Sequence, residues 1–198
     1  MKNHTPKNVL LLACGALARE ILDIIDKNRW DHLHLQCLPA MYHVYPEKIT
    51  PAVREAVAKY RADYDEILVV YADCGTGGQL QAACDELGVT MIPGPHCYSF
   101  FEGNDAFEQR DEITAFYLTD FLVRQFDAFV WAPLGLDKHP ELLPMYFEHY
   151  EKLVYQAQIK DPELEAKAKD CATRLGLDYE YRFTGYGDLP AALGAVSR

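Results

Sequence analysis

Three cysteines stand where an apolar run gives way to a turn. Cys14 follows Val9-Leu10-Leu11-Leu12-Ala13, Cys74 follows Ile67-Leu68-Val69-Val70-Tyr71 with Ala72 and Asp73 between, and Cys97 closes Pro93-Gly94-Pro95-His96-Cys97 after Val89-Thr90-Met91-Ile92. A thiolate is costly to bury unless it is paired or bound to a metal. Metal binding removes that cost by lowering the thiol pKa. Three thiolates and one nitrogen suit tetrahedral zinc, whereas three thiolates with an open corner suit a catalytic zinc or an iron–sulfur cluster. These residue types in this pattern predict a metal held by Cys14, Cys74 and Cys97, with His96 or His43 completing the set. His43 lies in the loop-like stretch Leu38 to Pro46 and is also a candidate acid–base group. Glu20, six residues beyond Cys14, is the second acid–base candidate, although most glutamates so placed on a helix are exposed. The plainer alternative is that cysteine fills cores. That reading is adopted for Cys37, Cys84 and Cys171, which lie inside strand or helix patterns. No Cys-x-x-Cys pair strengthens the metal signal.

The turn Asp73-Cys74-Gly75-Thr76-Gly77-Gly78 marks Gly75, Gly77 and Gly78 as candidate cofactor-binding residues. Its spacing fails the G-x-G-x-x-G dinucleotide pattern. An acidic residue before Gly-x-Gly also occurs in S-adenosylmethionine methyltransferases, yet the next strand ends in Pro93-Gly94-Pro95 with no carboxylate for a ribose. The competing explanation is that these glycines let the chain turn tightly into a helix.

The elements that must position these groups alternate. Val9 to Ala13 is a short apolar run, the mark of a strand covered on both faces. Leu17, Ile21, Ile24 and Ile25 then recur at helical spacing. Leu33 to Leu38 reads as a strand, Thr50 and Pro51 as the start of a helix, Ile67 to Tyr71 as a strand, Gln79 to Leu87 as a helix, and Val89 to Ile92 as a strand. This alternation predicts a Rossmann-like parallel sheet in a three-layer α/β/α arrangement, with ligands outside the carboxyl ends of the strands. The second half reads as helical: Thr119 to Trp131, Pro140 to Gln158 and Asp161 to Leu175, then a strand at Asp178 to Phe183 and a helix near Leu189 to Val196. The expectation is one α/β domain over 1–198, with a core at about 8–118, a helical flank at about 119–176, and a final strand and helix at 178–196.

Of the 198 residues, 49% are apolar and 25% charged. That is enough for a sizeable core and excludes disorder. Nineteen basic against thirty acidic residues give a net charge of −11, which argues against nucleic-acid and anionic-membrane partners. Six cysteines are too few for a disulfide scaffold. Lys2 and Lys7 before the first apolar run faintly imitate a secretory leader, but the run stops at Cys14-Gly15, short of the usual length. No stretch reaches the ~18 apolar residues of a membrane span. A cytoplasmic protein with reduced thiols is expected.

Several short motifs carry a resemblance. They are Ala13-Cys14-Gly15-Ala16-Leu17-Ala18-Arg19-Glu20, Leu38-Pro39 with Tyr42-His43 and Pro46, Tyr71-Ala72-Asp73-Cys74-Gly75, Gly94-Pro95-His96-Cys97-Tyr98, Tyr117-Leu118-Thr119, and His139-Pro140-Glu141 with Phe147. As a set they resemble the bacterial and archaeal DUF1638 family, most clearly from residue 9 to residue 147. Cys14, His43, Cys74 and Cys97 fall on motif positions of that family, whereas Cys37, Cys84 and Cys171 do not. This chain departs from the pattern in having His96 and Cys97 adjacent, where the family has one residue between them. The resemblance implies no stated activity. It implies partnership with corrinoid-dependent methyl-transfer systems, so a small thiol or methylated substrate and a corrinoid protein or methyltransferase partner are expected. A metal-dependent enzyme, a non-enzymatic metal- or corrinoid-binding accessory protein, and an S-adenosylmethionine-dependent methyltransferase are the three functions carried forward.

Overall fold

The computed structural model describes residues 7–196. Lys2 lies outside them. The fold is α/β with parallel sheets, and the chain divides into two compact units: residues up to Phe100 together with those from Asp188 onward, and Phe101–Gly187.

The first unit carries a four-stranded parallel sheet in the order β2-β1-β3-β4, formed by β1 (Val9–Cys14), β2 (Leu33–Leu38), β3 (Glu66–Val70) and β4 (Thr90–Met91). All six residues of β1 are buried. The apolar run has no polar alternation because neither face of this central strand meets water. Helices α1 (Ala18–Asn28), α2 (Ile49–Tyr60) and α3 (Gln79–Leu87) connect the strands and bury Ile21, Ile24, Val53, Val57 and Leu80. Each such side chain contributes about 1.5–3 kcal/mol when fully buried. The α2 helix begins at Ile49, so Thr50 lies inside its first turn and is not the cap. The α8 helix (Leu189–Val196) returns to this unit, with Leu189 and Leu193 fully buried.

The second unit builds its own parallel sheet, β5-β6-β7, from β5 (Ala115–Thr119), β6 (Lys152–Ala157) and β7 (Asp178–Phe183). Its helices are α4 (Asn104–Arg110), α5 (Asp120–Arg124), α6 (Leu143–Phe147) and α7 (Pro162–Leu175). The continuous helix expected over residues 140–158 is therefore corrected to a short helix followed by a strand. Glu148-His149-Tyr150-Glu151 has no strong breaker, so sequence pattern carries the helix through, while burial between β5 and β7 claims Lys152–Ala157 as strand. Likewise Thr119 caps only the short α5, accepting from the Leu122 N–H at 3.4 Å, and a π-helical turn follows at Asp127–Trp131.

Leu153, Tyr155 and Ala157 of β6 face a core completed by Leu164, Ala168, Cys171 and Leu175 of α7. The alternate residues, Lys152 and Gln156, join a charged network. Lys152 binds Glu112 at 2.8 Å and Glu180 at 2.6 Å, Arg182 binds Glu102 at 3.1 Å and Glu112 at 3.0 Å, and Gln156 donates to Glu102 at 3.0 Å. Among the described residues no helix is long and apolar enough to cross a membrane.

Candidate functional site: a thiol pair at the carboxyl edge of the first sheet

The strands of the first sheet are parallel, so their carboxyl ends share one edge. Backbone bonds continue to join the two chain segments as they leave β3 and β4. Ile92 N–H donates to Val69 O at 3.1 Å, Asp73 N–H to Gly94 O at 3.0 Å, and Cys74 N–H to Pro95 O at 3.0 Å. These bonds hold the two outgoing loops side by side and bring Cys74 Sγ to 3.0 Å from Cys97 Sγ. Both cysteines are half-buried.

Cys74 takes a φ of +47°, a left-handed conformation that a side chain adopts at a cost of order 1 kcal/mol. The turn after it makes that tolerable. Gly75, Gly77 and Gly78 also have positive φ. The Asp73 carboxylate accepts from the Gly78 N–H at 2.6 Å, the Gly77 N–H at 3.2 Å and the Thr76 hydroxyl at 2.9 Å. The glycine N–H groups of this loop are thus held by the chain's own carboxylate, the arrangement of a tight turn into α3.

The sulfurs are not electrically equivalent. Cys74 is held below the ordinary thiol range, first by the hydrogen bond from the Cys97 S–H and then by the backbone N–H groups of Cys97 and Ala72. Cys97 is pushed up by its hydrogen bond to Cys74 and by the loss of hydration around its half-buried sulfur. Loss of one proton from the pair leaves a thiolate hydrogen-bonded by the remaining thiol. Cys14, the last residue of β1, is only 5% exposed. Burial pushes it up to about 11, the charge of Cys74 adds to this, and the Ala16 N–H partly offsets it. The Tyr71 hydroxyl lies against Cys14 and feels Cys97 and Cys74, and burial with these neighbours pushes its pKa up. Among the described residues it has no hydrogen-bond partner of ordinary geometry.

His43 sits on a 3-10 turn, Ala40–His43, in the loop after β2. Burial and then His96 lower its pKa. His96 is lowered by burial, which Asp73 partly offsets, and its ring stacks on Tyr98 at 4.8 Å. Both imidazoles are accordingly neutral at pH 7, the form that binds metal or accepts a proton. Glu20, the second acid–base candidate, is only 5% exposed on α1. Cys84 and Cys171 are fully buried, with burial raising each to about 11. Cys37 is half-buried in β2, raised by burial, and close enough to act on Cys14.

Cys74 and Cys97 thus come together, and Cys14, His43 and His96 stand around them on the same edge. Among the described residues no group of three or more His, Cys, Asp or Glu side chains is close enough to hold a metal ion. A cleft of about 260 Å³ between Arg61, Asp65, Gly88 and Thr90 lies at the opposite, amino-terminal edge of β3 and β4, away from the thiols. Sequence reasoning missed Tyr71. Its signal was the aromatic ring ending an otherwise aliphatic strand three residues before Cys74.

The family described as "Protein of unknown function (DUF1638)" matches residues 37–193, and the chain belongs to that family. The matched span includes His43, Cys74, His96 and Cys97 and begins after Cys14 and Glu20. No curated protein and no solved structure matches the chain.

Proposed function

We propose that this member of the DUF1638 family is a small-molecule enzyme whose working centre is the Cys74–Cys97 pair, acting as ligands of a soft or borderline metal ion. Zinc is the first choice and an iron–sulfur cluster the second. The observation that carries the reading is the 3.0 Å approach of two sulfurs on adjacent loops at the carboxyl edge of a parallel sheet, where ligands of such sheets bind. In this reading Cys14 is the third donor and the neutral His96 or His43 the fourth, and the Cys14 side chain must join the pair when metal binds. Such a metal would supply Lewis acidity or hold a thiolate nucleophile. Glu20 and whichever histidine stays free would move protons. The substrate is a small thiol or methylated compound in methyl transfer linked to a corrinoid protein, and the site of action is the cytoplasm, where thiols stay reduced.

The test is elemental analysis and a visible spectrum of protein purified without oxygen. About one zinc per chain, lost in Cys74→Ser with an unchanged circular dichroism spectrum and kept in Cys84→Ser and Cys171→Ser, is the expected result. Broad absorbance near ~400 nm selects the cluster instead. Metal-free protein refutes the metal centre.

A second reading has its own support. Since, among the described residues, Cys74 and Cys97 are the thiols that meet closely, the pair can work without metal, with Cys74 as the nucleophile and the Cys97 S–H as its hydrogen-bond donor. The same purification discriminates: this reading requires no metal, and a single alkylation at Cys74 that abolishes turnover. The two other functions foreseen from sequence have weaker footing. A metal- or corrinoid-binding accessory protein would show metal without turnover. Cofactor binding at Gly75, Gly77 and Gly78 would require loop N–H groups that Asp73 already occupies, and S-adenosylmethionine titration by calorimetry tests it.

A further inference from the structure

We infer that Cys74 and Cys97 are a reversible dithiol–disulfide couple that exchanges electrons with small-molecule disulfides. The inference stands on the geometry of the sulfur pair and does not depend on a bound metal. The two sulfurs are 3.0 Å apart, and a disulfide needs them at about 2.05 Å, so the closure is roughly 1 Å. Both sulfurs sit on loops rather than inside strands, Cys74 four residues beyond the end of β3 and Cys97 six beyond the end of β4. The pair of backbone bonds joining Asp73 to Gly94 and Cys74 to Pro95 fixes the loops against one another. Small side-chain rotations can therefore make the bond without tearing the sheet. Both residues are half-buried, within reach of a small oxidant. The other cysteines differ. Cys84 and Cys171 are 0% exposed, Cys14 is 5% exposed, and Cys37 lies within β2.

The chemistry balances in two exchanges. The thiolate of one member attacks a sulfur of a small disulfide RSSR, forms a mixed disulfide and expels RS⁻. The second member gives its proton to water and attacks the bonded protein sulfur, forming the Cys74–Cys97 bond and expelling the second RS⁻. The protein loses two electrons, and RSSR becomes two RSH once the leaving thiolates take up protons. A small dithiol such as dithiothreitol reverses both steps.

The experiment treats the full chain with glutathione disulfide, both as purified and after dialysis against a chelator. Thiols are counted, and the linkage is read by mass spectrometry of non-reduced peptides. The expected result is the loss of two of the six thiols with one Cys74–Cys97 cross-linked peptide, restored by dithiothreitol. Cys74→Ser and Cys97→Ser should each stop at a single glutathione adduct. A cross-link involving Cys14 or Cys37, or adducts without any cross-link in both samples, overturns the inference. The wild-type peptide map decides even if a variant fails to fold. Zinc released in step with the cross-link supports both this couple and the metal centre. A cross-link in protein that never held metal keeps the couple and removes the metal reading. Metal retained with no cross-link, and no cross-link after chelation, does the reverse.

Discussion

Removing the Asp73 carboxylate should loosen the turn that presents Cys74. In Asp73→Ala the N–H groups of Gly78 and Gly77 and the Thr76 hydroxyl lose an acceptor now at 2.6, 3.2 and 2.9 Å. Hydrogen bonds to a charged group are worth about 1.5–3 kcal/mol when desolvated. Here both glycines are exposed and Asp73 is half-buried, so water replaces much of the loss. The short Gly78 bond should then count for about 1 kcal/mol and the other two together for about the same, giving about 2 kcal/mol, the upper end of a lost helix cap. A freed turn also lets Cys74 leave its left-handed conformation at φ +47° and move its sulfur from Cys97. Urea unfolding should show the ~2 kcal/mol loss at pH 7, and glutathione disulfide should give less Cys74–Cys97 cross-link at the same dose. The Gly78 N–H, with the Thr76 hydroxyl and other loop N–H groups, holds the Asp73 carboxyl below its ordinary 3.8. A group depressed on folding stabilises fully above its unfolded pKa and progressively less as pH falls through the folded value. The wild-type advantage should accordingly be full at pH 5–7 and shrink below about pH 3.8. An alanine variant within about 0.5 kcal/mol of wild type at pH 7, the ordinary range for a surface change, would falsify the claim that this carboxylate holds the loop.

Two further outcomes probe the frame around the site. Burial pushes Glu112 up, but Lys152, Tyr117 and Arg182 outweigh it and hold its carboxyl at about 2 against an ordinary 4.5. That difference is worth roughly 3 kcal/mol at full strength, or about 2 kcal/mol after discounting for the fifth of the side chain that meets water. Between pH 5 and pH 2 the wild type should therefore lose about 2 kcal/mol more stability than Glu112→Gln in urea titrations; parallel curves would contradict the network. Gly15→Ala should destabilise by about 1–3 kcal/mol, because its Cβ would meet Leu38 O at 3.0 Å and Ala40 N at 3.2 Å, both backbone atoms. A thermal midpoint equal to that of wild type would show that the turn after Cys14 is not so closely packed on the end of β2.

How much of this was legible before the fold is seen best in particular segments. Val9–Cys14 and Ile67–Val70 announce buried strands because a strand covered on both faces has no polar alternation, and that property is local. With helices between them, crossover connections keep the strands parallel and leave one common carboxyl edge, so the turn cysteines could be placed on it from spacing alone. Lys152–Ala157 was not legible, because its strand identity comes from the partners on either side. The burial of Glu20 was not legible for the same reason: one residue's burial depends on what packs over its helix.

The amino-acid sequence by itself determined the parallel α/β class, the edge on which Cys14, Cys74 and Cys97 lie, and the glycines that permit the turn at Asp73. The tertiary structure alone decided which thiols meet. Cys14 still belongs to β1 and stays down in the sheet, whereas Cys74 and Cys97 ride loops that leave two adjacent strands and remain hydrogen-bonded to each other beyond the strand ends. Strand order makes those loops neighbours, and a distance set by strand order is a long-range property that no local spacing encodes.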